Sequence, residues 1–202
     1  MLHWVFSCFR EPPSVLILIL GLLLFFVPHL LREFGLRDTV RDRLPNLGAY
    51  MGLYSLFALG GLVLIIWGKS LAPFVMVWEP PFELRYVSSI LMIPAFILLV
   101  AGNIPISYIR WQFRNPMLLG VCIWGIAHLW ANGDAASMLL FGSFTVWSGL
   151  KFVTLRNNSE SLIEPELKWL WRDLIAVITG AVIYFTVFVN HGQLFGVGLA
   201  IN

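Results

Sequence analysis

The sequence predicts an all-α, polytopic integral membrane protein, a single-domain helical bundle with about six transmembrane helices. Of its 202 residues, 59% are hydrophobic and 12% are charged, and the mean hydropathy is +0.83, values outside the range of soluble globular domains. Apolar stretches of membrane-spanning length recur along the chain and are separated by short polar segments. The lipid bilayer is the expected partner, and the small net charge of +2 predicts no nucleic-acid partner.

The first two predicted spans cover about residues 14–31 and 50–67. Pro28 lies near the end of the first span and cannot donate a backbone hydrogen bond, so we expect a kink beside His29. The charged segment that follows is expected to be a solvated loop. The second span contains adjacent glycines, Gly60 and Gly61, and small residues let membrane helices approach closely.

Four further spans are predicted at about residues 87–101, 116–131, 135–153 and 174–190. The third contains Pro94, and its pattern continues beyond Asn103, so its end is left open. Only the Asn132–Asp134 turn separates the fourth span from the fifth, which must therefore form a hairpin. Acidic and apolar residues alternate over about residues 159–171, which predicts an amphipathic helix on the membrane surface.

The basic residues are distributed unequally between the two sides of this topology. The first, third and fifth loops hold ten: Arg32, Arg37, Arg41, Arg43, Arg110, Arg114, Lys151, Arg156, Lys168 and Arg172. The other side holds three: Arg10, Lys69 and Arg85. Loops rich in Lys and Arg remain in the cytoplasm, so a multi-pass protein of the bacterial inner membrane is expected, with both termini in the periplasm.

The stretch from Trp124 to Asp134 is the first candidate site, because it places the ionisable His128 in an apolar span. Such a residue is a functional hypothesis in a membrane protein. At helical spacing, Trp124, Gly125, His128 and Asn132 share one face, and the glycine would leave room for a flat ligand. A histidine hydrogen-bonded to a neighbouring helix explains the same pattern, and both interpretations stay open at this point.

Four motifs resemble the NnrU family, membrane proteins that also include the 15-cis-zeta-carotene isomerases of plants and bacteria. They are PHLLREFGLRDTVRDRL from Pro28, YMGLYSL from Tyr50, RNPMLLGVCIWGIAHLWANGD from Arg114, and HGQLFGV from His191. The resemblance covers nearly the whole chain. It implies six membrane helices and, for the namesake group, a link to the respiration of nitrogen oxides.

For the isomerase branch the resemblance also implies haem b, with its iron held by two histidines that match His29 and His128. Neutral imidazoles suit iron, and Asn132 could orient a ring from one turn away. The sequence departs from the family at two positions. Asn115 stands where a histidine is frequent, and Gly125 stands where the isomerases carry a cysteine, so ligand exchange through that cysteine is not expected.

The depth of the two histidines leaves a second ligand pair open. His29 lies about 5 Å from the cytoplasmic end of its span, whereas His128 lies near the outer end of another, in a hydrocarbon core about 30 Å thick. Either the hairpin of spans four and five ends inside the membrane, or the ligands are His128 and His191. The first alternative is favoured.

Three functions are compatible with these residues. The first is a haem-containing isomerase of an apolar, zeta-carotene-like polyene, or a redox protein working with respiratory membrane proteins. The second is a non-catalytic accessory or assembly protein of denitrification. The third is a membrane methyltransferase of the phospholipid or prenylcysteine type, motivated by Arg114, Pro116 and Gly120 at a helix start and by Glu164 and Glu166.

Overall fold

The computed structural model describes residues 13–81, 86–158, 164–196 and 199. Over these residues the chain is helical and forms no β-strand, with an isolated bridge between Met76 and Asp134. The predicted all-α class is therefore confirmed. Both chain termini, which the charge pattern places in the periplasm, lie outside the described residues.

The described residues contain eight α-helices: α1 (Pro13–Leu30), α2 (Arg37–Asp42), α3 (Leu47–Leu71), α4 (Tyr86–Ala101), α5 (Tyr108–Phe113), α6 (Pro116–Ala131), α7 (Ala135–Asn158) and α8 (Leu170–Phe195). By length and composition, four can cross a membrane: α1, α3, α7 over Ala135–Leu155, and α8 with the 3-10 turn Leu167–Trp169 before it. Helices α4 and α6 are equally apolar but shorter. The protein is accordingly a membrane protein.

Each predicted span overlaps one of these helices, and the differences lie in the loops. The third span does not continue beyond Asn103, because α4 ends at Ala101 and a turn follows. Short helices α2 and α5 form in the first and third loops, where no separate helix was predicted.

Within the described residues, the surface helix predicted at about 159–171 is helical only from Leu167 onward, where it leads directly into α8. Residues 159–163 lie outside the described residues, and 164–166 are not helical. The 3-10 turn occupies Leu167–Trp169, and Leu170 already begins α8. Pro165 has no N–H to donate, which is consistent with a helix that starts only after it.

Contacts divide the chain into two units, one of Met1–Val77 with Asp134–Leu140 and one of Trp78–Gly133 with Phe141–Asn202. In the first unit, α1 packs antiparallel against α3 through Gly21 and Gly61. A Cβ added at Gly21 would lie 2.6 Å from the Ile65 nitrogen, and one at Gly61 would lie 2.6 Å from the Phe25 nitrogen. The two backbones are in contact, as the glycines of the second predicted span had indicated.

An ion pair in the first unit connects the end of α3 with the start of α7. The carboxylate of Asp134 accepts hydrogen bonds from Lys69 Nζ and from the Ser137 nitrogen, both at 2.9 Å. The Ala135 nitrogen donates to the Val75 oxygen at 2.8 Å, next to the bridge between Met76 and Asp134. The second loop of the chain therefore lies against the fourth.

In the second unit, α4 packs against both α6 and α8. A Cβ at Gly120 of α6 would lie 2.8 Å from the Ala95 oxygen, and one at Gly180 of α8 would lie 2.6 Å from Ile97 Cα. Asp173 in the first turn of α8 accepts hydrogen bonds from the first two backbone nitrogens of α5, at 3.0 and 2.8 Å. The third loop is thus fixed to the segment that follows the fifth.

Candidate functional site

His29 is half-buried near the end of α1 in the first unit. Its Nδ1 lies 2.6 Å from the Phe25 oxygen, one helical turn back. A carbonyl oxygen only accepts, so Nδ1 carries a proton, and in the neutral ring the lone pair is then on Nε2. The hydrogen bond therefore assigns the tautomer that leaves Nε2 as the potential ligand atom.

Aromatic rings surround this imidazole. Phe25 is stacked on it, with ring centres 4.4 Å apart and planes inclined by 19°. Tyr54 of α3 lies 5.1 Å away on a tilted plane, and Tyr50 is 6.4 Å from Tyr54. Packing against α3 therefore fixes the orientation of the His29 ring in addition to its own hydrogen bond.

His128 occupies an equivalent setting in α6, in the second unit. Its Nδ1 lies 2.8 Å from the Trp124 oxygen, again one turn back, so the same argument places the lone pair on Nε2. Phe141 of α7 is stacked on the ring, with centres 4.4 Å apart and planes inclined by 25°. Trp124 lies 5.0 Å from the imidazole and 5.0 Å from Phe141.

The two histidines thus share one local arrangement. Each follows an aromatic residue by four positions, hydrogen-bonds to that residue's carbonyl and stacks on a phenylalanine. A neutral imidazole held at Nδ1 by a carbonyl is the usual state of a histidine that ligates a metal through Nε2. Chemically, His29 and His128 are each suited to bind iron.

Two other residues of the predicted face have different roles from those expected. The space beside Gly125 is filled by the Thr145 side chain and by the Phe141 oxygen, which lies 3.0 Å from the position of an added Cβ. Gly125 therefore serves helix packing and leaves no room there for a flat ligand. Asn132 follows the last residue of α6 and donates from Nδ2 to the backbone oxygen of His128 at 2.8 Å, so its amide nitrogen caps the end of the helix.

His191 belongs to the same unit as His128. It lies in the last turns of α8, half-buried, with its ring 5.0 Å from that of Phe195. The second unit accordingly contains both members of the alternative ligand pair.

Sequence reasoning missed Phe141 and Thr145, which the hairpin places opposite the predicted face. The short Asn132–Asp134 turn makes α6 and α7 neighbouring antiparallel helices, so side chains of α7 were to be expected opposite this face. The observed register pairs His128 with Phe141 and Gly125 with Thr145, although the α7 residue of each pair lies farther from the turn than its α6 partner, so the register could not be derived from the turn alone.

Two of the residues that motivated the methyltransferase hypothesis have structural contacts. Gly120 of the methyltransferase hypothesis packs against α4, and exposed Glu166 pairs with Lys168 at 2.9 Å. Across the part of the chain that the structure describes, no three His, Cys, Asp or Glu side chains group as metal ligands. Ligation by two histidines requires no such group.

Comparison with known protein families gives a match over most of the chain. The family model described as NnrU protein matches residues 17–199, which include most of α1, with His29, and all of α6, with His128. No curated protein and no solved structure matches the chain. Because the match covers far more than half of the sequence, the chain belongs to the NnrU protein family.

Proposed function

We propose that this protein binds haem b through His29 and His128 and acts in cis–trans isomerisation of an apolar polyene or in a redox step linked to nitrogen-oxide respiration. The observation that supports it is the shared tautomer of the two imidazoles, each with Nδ1 bonded to a carbonyl one turn back. When bound, haem would supply the redox and ligand-exchange chemistry of its iron. The protein would supply the ligands and their orientation.

The donor set fits this cofactor. Two neutral imidazoles are common axial ligands of haem iron, and a carbonyl that accepts from Nδ1–H increases the basicity of Nε2. Phe25 and Phe141 hold the rings between apolar surfaces, which suit an apolar macrocycle and would also suit a polyene chain. Partners of the redox role would be respiratory proteins of the same membrane.

The pair of His128 and His191 is the alternative ligand set. It is supported by the placement of both residues in the second unit. The pair of His29 and His128 is supported by the identical hydrogen-bond arrangement and by the family motifs in which both lie. We favour the pair of His29 and His128 because both rings have Nδ1 bonded to a backbone carbonyl, which in the neutral ring leaves Nε2 for the iron.

The absorption spectrum of the detergent-purified protein from haem-replete cells tests the proposal. We expect a Soret band, which His128→Ala removes or converts to a five-coordinate spectrum, because loss of one axial ligand opens the iron. His29→Ala should perturb the band as strongly, while His191→Ala leaves it unchanged. Circular dichroism and gel filtration of each variant separate loss of ligand from loss of fold.

Three outcomes distinguish the alternatives. A band abolished by His191→Ala and retained by His29→Ala would assign the iron to the second pair of histidines. A folded, haem-free wild-type protein would contradict the proposal and favour an accessory or assembly role in denitrification. A band unaffected by all three variants would exclude histidine ligation at these positions.

We also propose that the chain is a multi-pass protein of the bacterial inner membrane with both termini in the periplasm. The excess of basic residues in the first, third and fifth loops supports this orientation. The contacts between loops support the alternation of even- and odd-numbered loops between the two sides of the membrane. Val75 of the second loop accepts a hydrogen bond from Ala135, which follows the fourth loop. Asp173, which follows the fifth loop, accepts one from Tyr108 of the third. Loops that touch lie on one side of the membrane.

A further inference from the structure

Four consecutive apolar side chains are exposed just after α3. Phe74, Val75, Met76 and Val77, here called the apolar loop, have exposed fractions of 72%, 53%, 59% and 57%. No charged residue occurs between Lys69 and Glu79. A run of this kind is unfavourable in water and marks a surface that contacts something apolar.

The backbone of the apolar loop is held in place. Val75 accepts a hydrogen bond from the Ala135 nitrogen, and Met76 forms the bridge with Asp134. Asp134 is itself 4% exposed and is fixed by Lys69 and Ser137. Because these bonds satisfy polar groups of the backbone, the loop can enter a region of low dielectric at smaller cost than an open turn could.

The position of the loop in the fold indicates what covers it. It follows the last turn of α3, a helix of 25 residues that is long and apolar enough to cross a membrane. A segment directly after such a helix lies at the boundary between acyl chains and headgroups. The first loop, with Phe34, lies at the opposite end of the same α1–α3 hairpin among charged residues.

We propose that the apolar loop inserts into the membrane interface and that its partner is the lipid of the leaflet next to it. Phe74 to Val77 would contact acyl chains near the headgroups, while the ion pair of Lys69 with Asp134 keeps the loop against the start of α7. The uncharged surface of the loop matches an apolar, lipid-facing position. The proposal involves no haem ligand and is therefore independent of the proposed function.

Fluorescence from labels at single positions of the protein in proteoliposomes tests whether the apolar loop inserts into the membrane interface. In a chain carrying Cys8→Ala and Cys122→Ala, Phe74→Cys is labelled with an environment-sensitive fluorophore and reconstituted in phosphatidylcholine vesicles. Phe34→Cys is the matched control, because Phe34 is 71% exposed and differs mainly in its charged neighbours. We expect blue-shifted emission at position 74, and quenching by a doxyl-labelled lipid that is about threefold stronger there than at position 34. Aqueous iodide should instead quench the fluorophore more strongly at position 34 than at position 74.

Val77→Cys repeats the measurement at a second position in case the first variant does not fold. Equal quenching by iodide at positions 74 and 34 would overturn the proposal. A second result would also overturn the proposal: iodide quenches the fluorophore at positions 74 and 77 in vesicles but not in native membranes. This result would identify a protein partner in place of lipid.

Discussion

The adjacent glycines Gly60 and Gly61 of α3 are predicted to respond oppositely to the same substitution. An alanine Cβ at Gly61 would lie 2.6 Å from the Phe25 nitrogen, 2.9 Å from the Gly21 oxygen and 2.9 Å from Phe25 Cα. All three are backbone atoms and cannot rotate away. At Gly60, no atom lies within 4 Å of an added Cβ. Gly61→Ala must therefore move α1 away from α3, whereas Gly60→Ala fits without adjustment.

The difference between the two variants isolates the cost of the clash. Both substitutions gain the same helix propensity, up to about 1 kcal/mol, so this contribution cancels in the comparison. Overpacking of a well-packed interface costs about 1–3 kcal/mol. Gly60→Ala should therefore equal or exceed the wild type in stability, and Gly61→Ala should fall about 1–3 kcal/mol below Gly60→Ala.

Reversible unfolding in mixed micelles, followed by tryptophan fluorescence, measures these differences. Gly21→Ala provides a second test from the opposite helix, because its Cβ would meet the Ile65 nitrogen at 2.6 Å. If Gly61→Ala and Gly60→Ala unfold at the same denaturant concentration, the backbones of α1 and α3 are not in contact as described.

Two further predictions concern acid stability and orientation. Burial raises the pKa of Asp134, but hydrogen bonds from Ser137 and Lys69 outweigh it and hold the pKa below its ordinary value. Because the folded state favours the carboxylate, ionised Asp134 contributes fully to the free energy of unfolding above its pKa in the unfolded chain, about 3.9. This contribution is lost as the pH falls through the lower pKa of the folded state. Unfolding midpoints measured across this range should converge with those of Asp134→Asn at low pH; a constant gap would contradict the assignment. For orientation, an impermeant thiol reagent applied from the periplasm should label a cysteine at Asn202 and not one at Asn157, and the reverse pattern would invert the topology.

The helical stretches could be predicted because membrane-spanning segments need long apolar runs, which composition alone displays. The ends of these helices were harder to predict. Helix α3 begins at Leu47 and α8 extends to Phe195, since a helix continues into polar flanks wherever its backbone bonds remain favourable. The six-residue helices α2 and α5 carry no apolar periodicity long enough to recognise.

At the candidate site, the sequence indicated His29 and His128 as candidates but did not predict what their neighbours contact. A spacing of four residues places Asn132 below His128 only if the helix continues, and α6 ends at Ala131. A glycine beside a histidine can make room either for a ligand or for a neighbouring helix. At Gly125 the space is filled by Thr145 of α7, so the glycine makes room for a helix. Such choices depend on the register between helices, which one span does not contain.

Helices α4 and α6 are both short, and they pack against each other in the second unit. Each has 16 residues, or about 24 Å at 1.5 Å per residue, against a hydrocarbon core about 30 Å thick. A bilayer crossed by this pair has to thin locally or let headgroups descend to the helix ends. The length of the acyl chains would then affect the stability of the folded protein. Short-chain lipids form a bilayer whose thickness matches the length of α4 and α6, whereas long-chain lipids form one that is too thick for them. The thickness of a membrane, besides its chemistry, would decide where this protein resides.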